Sequence, residues 1–391
     1  MTGAEVPTVR SCIAALLVLG GLALGRDAIT LRLVATGALI VLFLWPESLV
    51  GPSFQMSFAA VTAIVALAEH PRFRAFAAAR EENWSWKLTR ALAVTLATGL
   101  VVELALMPIA LFHFHKAGLL GAFANLIAIP LTTFVVMPLE VLALLFDLIG
   151  LGAPFWWLTG HALDLLLAVA HGVAASPFAT LLAPAMRPGL FALVIVGLLW
   201  CLLWRTRWRW LGLPPVLVGV ALVLVAAPPD LLVTGDGRHV AVRSGSGMAI
   251  LRDRAGDYVR DTLSESAGYE GDLSAIADLS MARCSTDLCA LDMHDPAGRT
   301  WRLLLTRSDM LIDRPAFAPA CARADIVISD RRLPLWCRPR WLRIDRQLLA
   351  RTGGLSISLE EGEVHTVHRP GDAHPWIVKS RMRKRRPSRQ L

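Results

Sequence analysis

The chain has 391 residues, of which 55% are hydrophobic and only 18% charged, and its mean hydropathy is +0.54. This excludes an ordinary soluble protein, because the apolar residues gather in blocks of near-membrane length. A formal net charge of +8 fits anionic lipid, nucleic acid or both, and does not choose between them.

Residues 1–10 are mostly polar and lead directly into an apolar run, with no clear signal-peptide cleavage site. Apolar runs predict spans at about 11–25, 33–45, 54–68, 91–111, 119–129, 131–149, 190–204 and 211–227, giving seven or eight crossings. Pro130 separates two of these runs, so 119–149 is either two helices or one broken helix. Trp45, Trp156, Trp157, Trp200, Trp204, Trp208 and Trp210 stand at the ends of apolar runs, as interfacial anchors do. Arg26 and Arg32 share one loop. Arg72, Arg74, Arg80, Lys87 and Arg90 share a second, and Arg205, Arg207 and Arg209 a third. The positive-inside rule places these loops in the cytoplasm. Residues 45–53 and everything after 227 then lie outside, provided that 119–149 crosses twice. Lys116 and Arg187 are minor exceptions.

The run that begins at Phe54 carries Gln55 and Ser57 in its first turn, and such polar groups at membrane depth need partners on a neighbouring helix. Ionisable residues inside the spans are the functional candidates there. Glu103 lies five residues before Pro108, which frees the carbonyl of Leu104. Glu140 follows Pro138, and Asp147 falls on nearly the same face. A buried carboxylate is a poor contact for a polyanion. It fits pairing with a cation, a hydrogen bond to a neighbouring helix, or a role in gating.

The stretch 154–176 reads as an amphipathic helix on the outer face, with His161, Asp164, Ala168 and His171 on one side. That stripe is spaced too loosely to favour a metal and reads as a solvated face. At Pro228-Pro-Asp230 the composition changes. Short alternating runs at 239–243, 248–252, 301–306, 325–329 and 355–359 predict a β-rich soluble domain over 229–378. Residues 379–391 form a basic tail read as disordered. Cys284, Cys289, Cys321 and Cys337 all fall in this outer domain, which argues for two disulfides rather than a four-thiolate zinc site. Proximity favours Cys284–Cys289 and Cys321–Cys337 among the three possible connectivities. Cys12 and Cys201 lie in spans and read as buried thiols.

Three stretches resemble motifs of the ComEC family of competence proteins. They are Gly51-Pro-Ser-Phe-Gln-Met-Ser-Phe58, Asn125-Leu-Ile-Ala-Ile-Pro130 and Met137-Pro-Leu-Glu140. The span with Glu103 and Pro108 follows the same pattern. The resemblance implies a polytopic α-helical membrane bundle over 1–228, followed by a soluble α/β domain. Its candidate channel residues are Phe54, Gln55, Ser57, Phe58, Glu103, Pro108, Asn125, Pro130, Pro138 and Glu140. It implies passage of single-stranded DNA across the bacterial inner membrane during natural transformation. The implied partners are single-stranded DNA, the lipid bilayer, and other competence proteins or a second copy of the chain, with no cofactor. The opening residues resemble an internal segment of the family's helices, which implies an N-terminally truncated chain.

The outer domain resembles the family's metallo-β-lactamase-like domain in degenerate form. Family nucleases open on an Asp-Val-Gly-Gln-Gly-Asp strand and carry His-x-His-x-Asp-His. Here the opening strand reads Leu232-Val-Thr-Gly-Asp-Gly237, and the nearest approach to the metal motif is His365-Thr-Val-His368. Metal hydrolysis needs several placed ligands and an open coordination position. The expectation is therefore no metal, no catalytic residue and no enzyme, with the Arg-rich stretch from Asp330 to Arg346 available to phosphate. Two other readings stay open. One is a membrane anchor for an outer binding domain; the other is a small-solute transporter with Glu103 and Glu140 as coupling carboxylates.

Overall fold

The computed structural model describes residues 30–368, apart from 79, 205, 246, 296 and 297. The span expected at 11–25, Cys12, Arg26, Arg205 and the tail 379–391 lie outside the described residues. The chain forms two compact units that divide between Ala226 and Ala227.

The first unit is helical. α1 (Leu31–Leu44) starts on Thr30, whose hydroxyl accepts a hydrogen bond from the Leu33 N–H. A 3-10 turn at Pro46–Val50 leads into α2 (Pro52–Glu69), with proline in the first turn, where no N–H is needed. α3 (Pro71–Ala77) is short. α4 (Trp84–Phe114) runs for 31 residues, about 46 Å, well beyond the ~30 Å hydrocarbon core. The strand β1 (Lys116–Gly118) follows. α5 (Gly121–Leu131) and α6 (Met137–Asp147) come next, then α7 (Ala153–Ala174), the strand β2 (Thr180–Leu182), α8 (Pro188–Leu203) and α9 (Leu213–Leu224).

Two expectations change here. Residues 119–149 do not make two spans, because α5 and α6 join through a π-helical turn at Thr132–Val136 into one helix, Gly121–Asp147. Pro130 and Pro138 each lack an N–H. The wider turn between them absorbs the mismatch, and the Met137 N–H reaches the carbonyl of Thr132. The stretch expected to lie on the outer face is instead α7, a helix of membrane length that packs on α6 and α5. α2, α4, the joined α5–α6 and α7 are the four described helices long and apolar enough to cross a membrane. Only 11–17% of their most apolar windows is buried, so most of that surface faces outward, where lipid can meet it.

β1 pairs antiparallel with β2, Lys116 opposite Leu182 and Gly118 opposite Thr180. The ends of α4 and α7 therefore lie at the same end of the unit. Between them α5–α6 runs away and α7 returns, an even number of passes. Ala117 and Ala183 pack with Leu111 of α4 and Val223 of α9, so α9 also finishes at this end.

The second unit opens with β3 (Leu231–Val233), β4 (Val240–Ser244), β5 (Gly247–Ile250), α10 (Asp257–Ala267) and β6 (Ser274–Ala275). β7 (Ala282–Cys284), β8 (Leu288–His294), β9 (Thr300–Thr306), α11 (Arg314–Arg323) and β10 (Ile326–Ile328) follow. β11 (Leu342–Ile344), α12 (Arg346–Thr352), β12 (Leu355–Ser358) and β13 (Glu363–Thr366) close it. A six-stranded sheet has the order β13-β12-β3-β4-β5-β6, and a five-stranded sheet the order β11-β10-β9-β8-β7. Alternation along each strand builds the layers. Val240 and Val242 of β4 face the other sheet with Leu303 and Leu305 of β9, while Ala241 meets Leu263 of α10. Leu304 turns the other way, toward Phe317 of α11. The result is four layers in the order helix, sheet, sheet, helix.

Cys284–Cys289 is a disulfide across directly opposed positions of β7 and β8. Cys321–Cys337 joins α11 to the loop after β10 inside the outer core. Both are the pairings that proximity favoured. Cys201 is a free, half-buried thiol, its Sγ 3.4 Å from the carbonyl of Arg209.

Candidate functional site

In the helical unit three polar residues of the spans, Gln55, Glu103 and Asp147, meet partners on other elements. The Gln55 amide nitrogen donates to the carbonyl of Leu49 at 2.9 Å, which leaves Oε1 to face His113 Nε2 at 2.9 Å. A carbonyl only accepts, so this amide orientation is fixed, and His113 must carry its proton on Nε2. Gln55 thus ties the turn before α2 to the end of α4. Phe54 is buried and packs on Phe58 with ring centroids 4.5 Å apart, while Ser57 is exposed. Beside His113, the Phe112 ring stacks on Phe191 of α8 at 4.0 Å. His113 and Phe191 escaped sequence reasoning, although the run Phe112-His-Phe-His115 closing a span was a visible anomaly.

Glu103 has a specific structural task. Its Oε1 accepts from the Gly121 N–H at 2.9 Å and its Oε2 from the Ala122 N–H at 2.8 Å. The carboxylate of α4 therefore caps the amino end of α5, where unpaired N–H groups and the positive end of the helix dipole meet. Close helix approach makes this possible. A Cβ at Gly99, one turn before Glu103, would stand 3.2 Å from the Cβ of Ala122. Pro108 is buried and α4 runs on through it.

The other candidates are not gathered at this point. Asn125 and Pro130 are exposed along α5, as is Pro138 on α6. Glu140 is half-buried in the first turn of α6 and has no ion pair or hydrogen bond among the described residues. Asp147 ends α6 and accepts from Trp156 Nε1 at 3.2 Å.

In the second unit, a turn at Thr234–His239 joins β3 to β4. The Thr234 hydroxyl donates to Asp236 Oδ1 and accepts from the His239 N–H, and Arg238 N–H also bonds Asp236 Oδ1. Burial pushes the Asp236 carboxyl up, but these bonds and nearby His239 and Arg238 hold it below its usual range. Burial also lowers the His239 pKa, helped by Arg252 and Arg238 and opposed by Asp236. Arg252, just after β5, reaches Asp330 Oδ2 at 3.1 Å and the carbonyl of Arg307 at 2.9 Å.

His365 pairs with Glu363 at 3.3 Å, and no group of three or more metal-type side chains occurs among the described residues. Much of the Arg-rich stretch is spent on structure. Arg331 donates to the carbonyls of Asp309 and Met310, and Arg343 lies 3.6 Å from Asp345.

Residues 1–208 match the competence protein family. The chain belongs to the competence protein family. The match ends inside the 3-10 turn at Arg207–Gly212, so α9 and the second unit lie outside it. No curated protein and no solved structure matches the chain. Membership and the four apolar helices make this competence protein a membrane protein.

Proposed function

We propose that this competence protein conducts single-stranded DNA across the bacterial inner membrane during natural transformation, with the second unit in the periplasm. The observation that carries the reading is the family match over residues 1–208, most of the helical unit. The loop cations support the orientation. Arg32, Arg72, Arg74, Arg80, Lys87, Arg90, Arg207 and Arg209 flank one end, against Lys116 and Arg187 at the β1–β2 end. The cation-poor end is then outside, and α9 finishes there. Merging two expected spans into α5–α6 while gaining α7 keeps the number of crossings even, so the orientation argument survives both changes.

The second unit is read as a non-catalytic partner of the channel. Its helix, sheet, sheet, helix layering supports a likeness to the metallo-β-lactamase fold, without that fold's metal motif. The Glu103 contacts favour a cap over a coupling carboxylate, which weighs against the small-solute transporter. Deleting the gene and scoring transformation with a selectable marker tests the proposal. The expected result is lost transformation with normal DNA binding at the cell surface; normal transformation frequency would refute it.

A further inference from the structure

The second unit carries two arginine-lined depressions, one on β9 and one just past its end. α11 covers only part of the five-stranded sheet. Beside it, a cavity of about 290 Å³ is lined by Arg283 of β7, Arg302 of β9 and Arg323 of α11 over a floor that includes Ala290 and Ala320. Asp292 pairs with Arg302 at 2.9 Å, while Arg283 and Arg323 have no ion-pair or hydrogen-bond partner among the described residues. At the strand ends, a second depression of about 410 Å³ is lined by Arg252, Arg254 and Arg307, with Asp253 and Thr286. Here Arg252 is held by Asp330, and Arg307 donates to the carbonyl of Ser285 at 3.2 Å. Arg254 is exposed and has no ion-pair or hydrogen-bond partner among the described residues. Six guanidiniums thus line the two depressions against two lining carboxylates.

We infer that these two clusters form a track for the phosphodiester backbone of single-stranded DNA. A lone phosphate would need one cluster. Arg302 and Arg307 are five residues apart on and just past one strand, about 17 Å at the rise of an extended chain. Two cationic stations at that distance suit an extended polyanion better than a small anion. Neither depression has an aromatic lining residue, so the contact is to backbone charge and the sequence of the strand is not read. Guanidiniums already oriented by Asp292, Asp330 and Ser285 lose less freedom on binding than free side chains would. The inference rests on the DNA-transport reading for its choice of polyanion, and on this unit alone for its residues.

The test uses the full chain in zwitterionic nanodiscs and fluorescein-labelled oligothymidylates of increasing length, read by anisotropy. Affinity should rise with length until both stations are spanned. The slope of log affinity against log salt should fall by about 1.4 in an Arg283→Ala/Arg323→Ala double variant and by about 0.7 in Arg254→Ala, at ~0.7 per phosphate contact. These three arginines have no ion-pair or hydrogen-bond partner among the described residues, so an unchanged melting temperature confirms that the variants are folded. Wild-type slopes in both variants would overturn the track. So would a loss seen only with phosphatidylglycerol vesicles and not with DNA. Either result, beside a deletion strain that cannot be transformed, would remove the track and leave the transport reading standing.

Discussion

Replacing Glu103 by Gln keeps the shape of the side chain and removes its charge. The carboxylate accepts two backbone N–H bonds at the start of α5, one on each oxygen. A glutamine offers one oxygen and turns an NH2 group toward the other N–H, so one bond becomes a donor–donor contact. Hydrogen bonds to a charged group contribute ~1.5–3 kcal/mol each, and an anion at a helix amino end about 0.3–1 kcal/mol more. The loss should be about 2–3 kcal/mol. For a unit of this size that corresponds to a fall of roughly 5–10 °C in melting temperature. Glu140→Gln is the control, since Glu140 has no ion pair or hydrogen bond among the described residues. It should cost no more than about 0.5 kcal/mol. Thermal unfolding of both variants of the purified full chain, followed by tryptophan fluorescence, makes the comparison. Equal stability of Glu103→Gln and wild type, or a larger loss for Glu140→Gln, would refute the cap.

Cys321→Ser opens a disulfide that closes a 16-residue separation and should cost the second unit about 3 kcal/mol, read as a lowered denaturation midpoint under oxidising conditions. Partial burial holds the His239 pKa below its ordinary 6.5, so the unfolded chain takes up the proton first. Stability of the second unit should therefore decline as pH falls from about 6.5 toward the lowered value. Denaturation of wild type and His239→Gln between pH 7.5 and 5.5 checks this, with the variant showing the shallower slope. For orientation, alkaline phosphatase fused after residue 391 should be active and green fluorescent protein at the same place dark.

Periodicity exposed much of the architecture. The alternating runs at 239–243, 248–252, 301–306, 325–329 and 355–359 coincide with β4, β5, β9, β10 and β12, because each strand has two different buried or half-buried faces. The composition change at Pro228 falls beside the division at Ala226. Both disulfides join the cysteines that lie nearest in sequence, which is what made them legible. The π turn was not, because proline between two apolar runs signals a break equally well whether the chain stops or merely widens a turn. α7 misled for a related reason. His161, Asp164 and His171 give it an amphipathic pattern, yet it is a membrane-length helix that packs against α5 and α6. The partners of Gln55 and Glu103 lie 58 and 18–19 residues away, on other helices, so no local pattern could name them. The arginine clusters draw on four separate segments and appear only once the sheets form.

The central claim concerns the passage of a strand through this chain, and the fate of end-labelled DNA tests it most directly. Cells lacking the gene, with and without a plasmid-borne copy, take up labelled duplex, and the label in the nuclease-protected cytosolic pool is measured. The account predicts that this pool vanishes without the gene and returns with the plasmid, while surface-bound label stays constant. Protected single strands accumulating equally in both strains would contradict it.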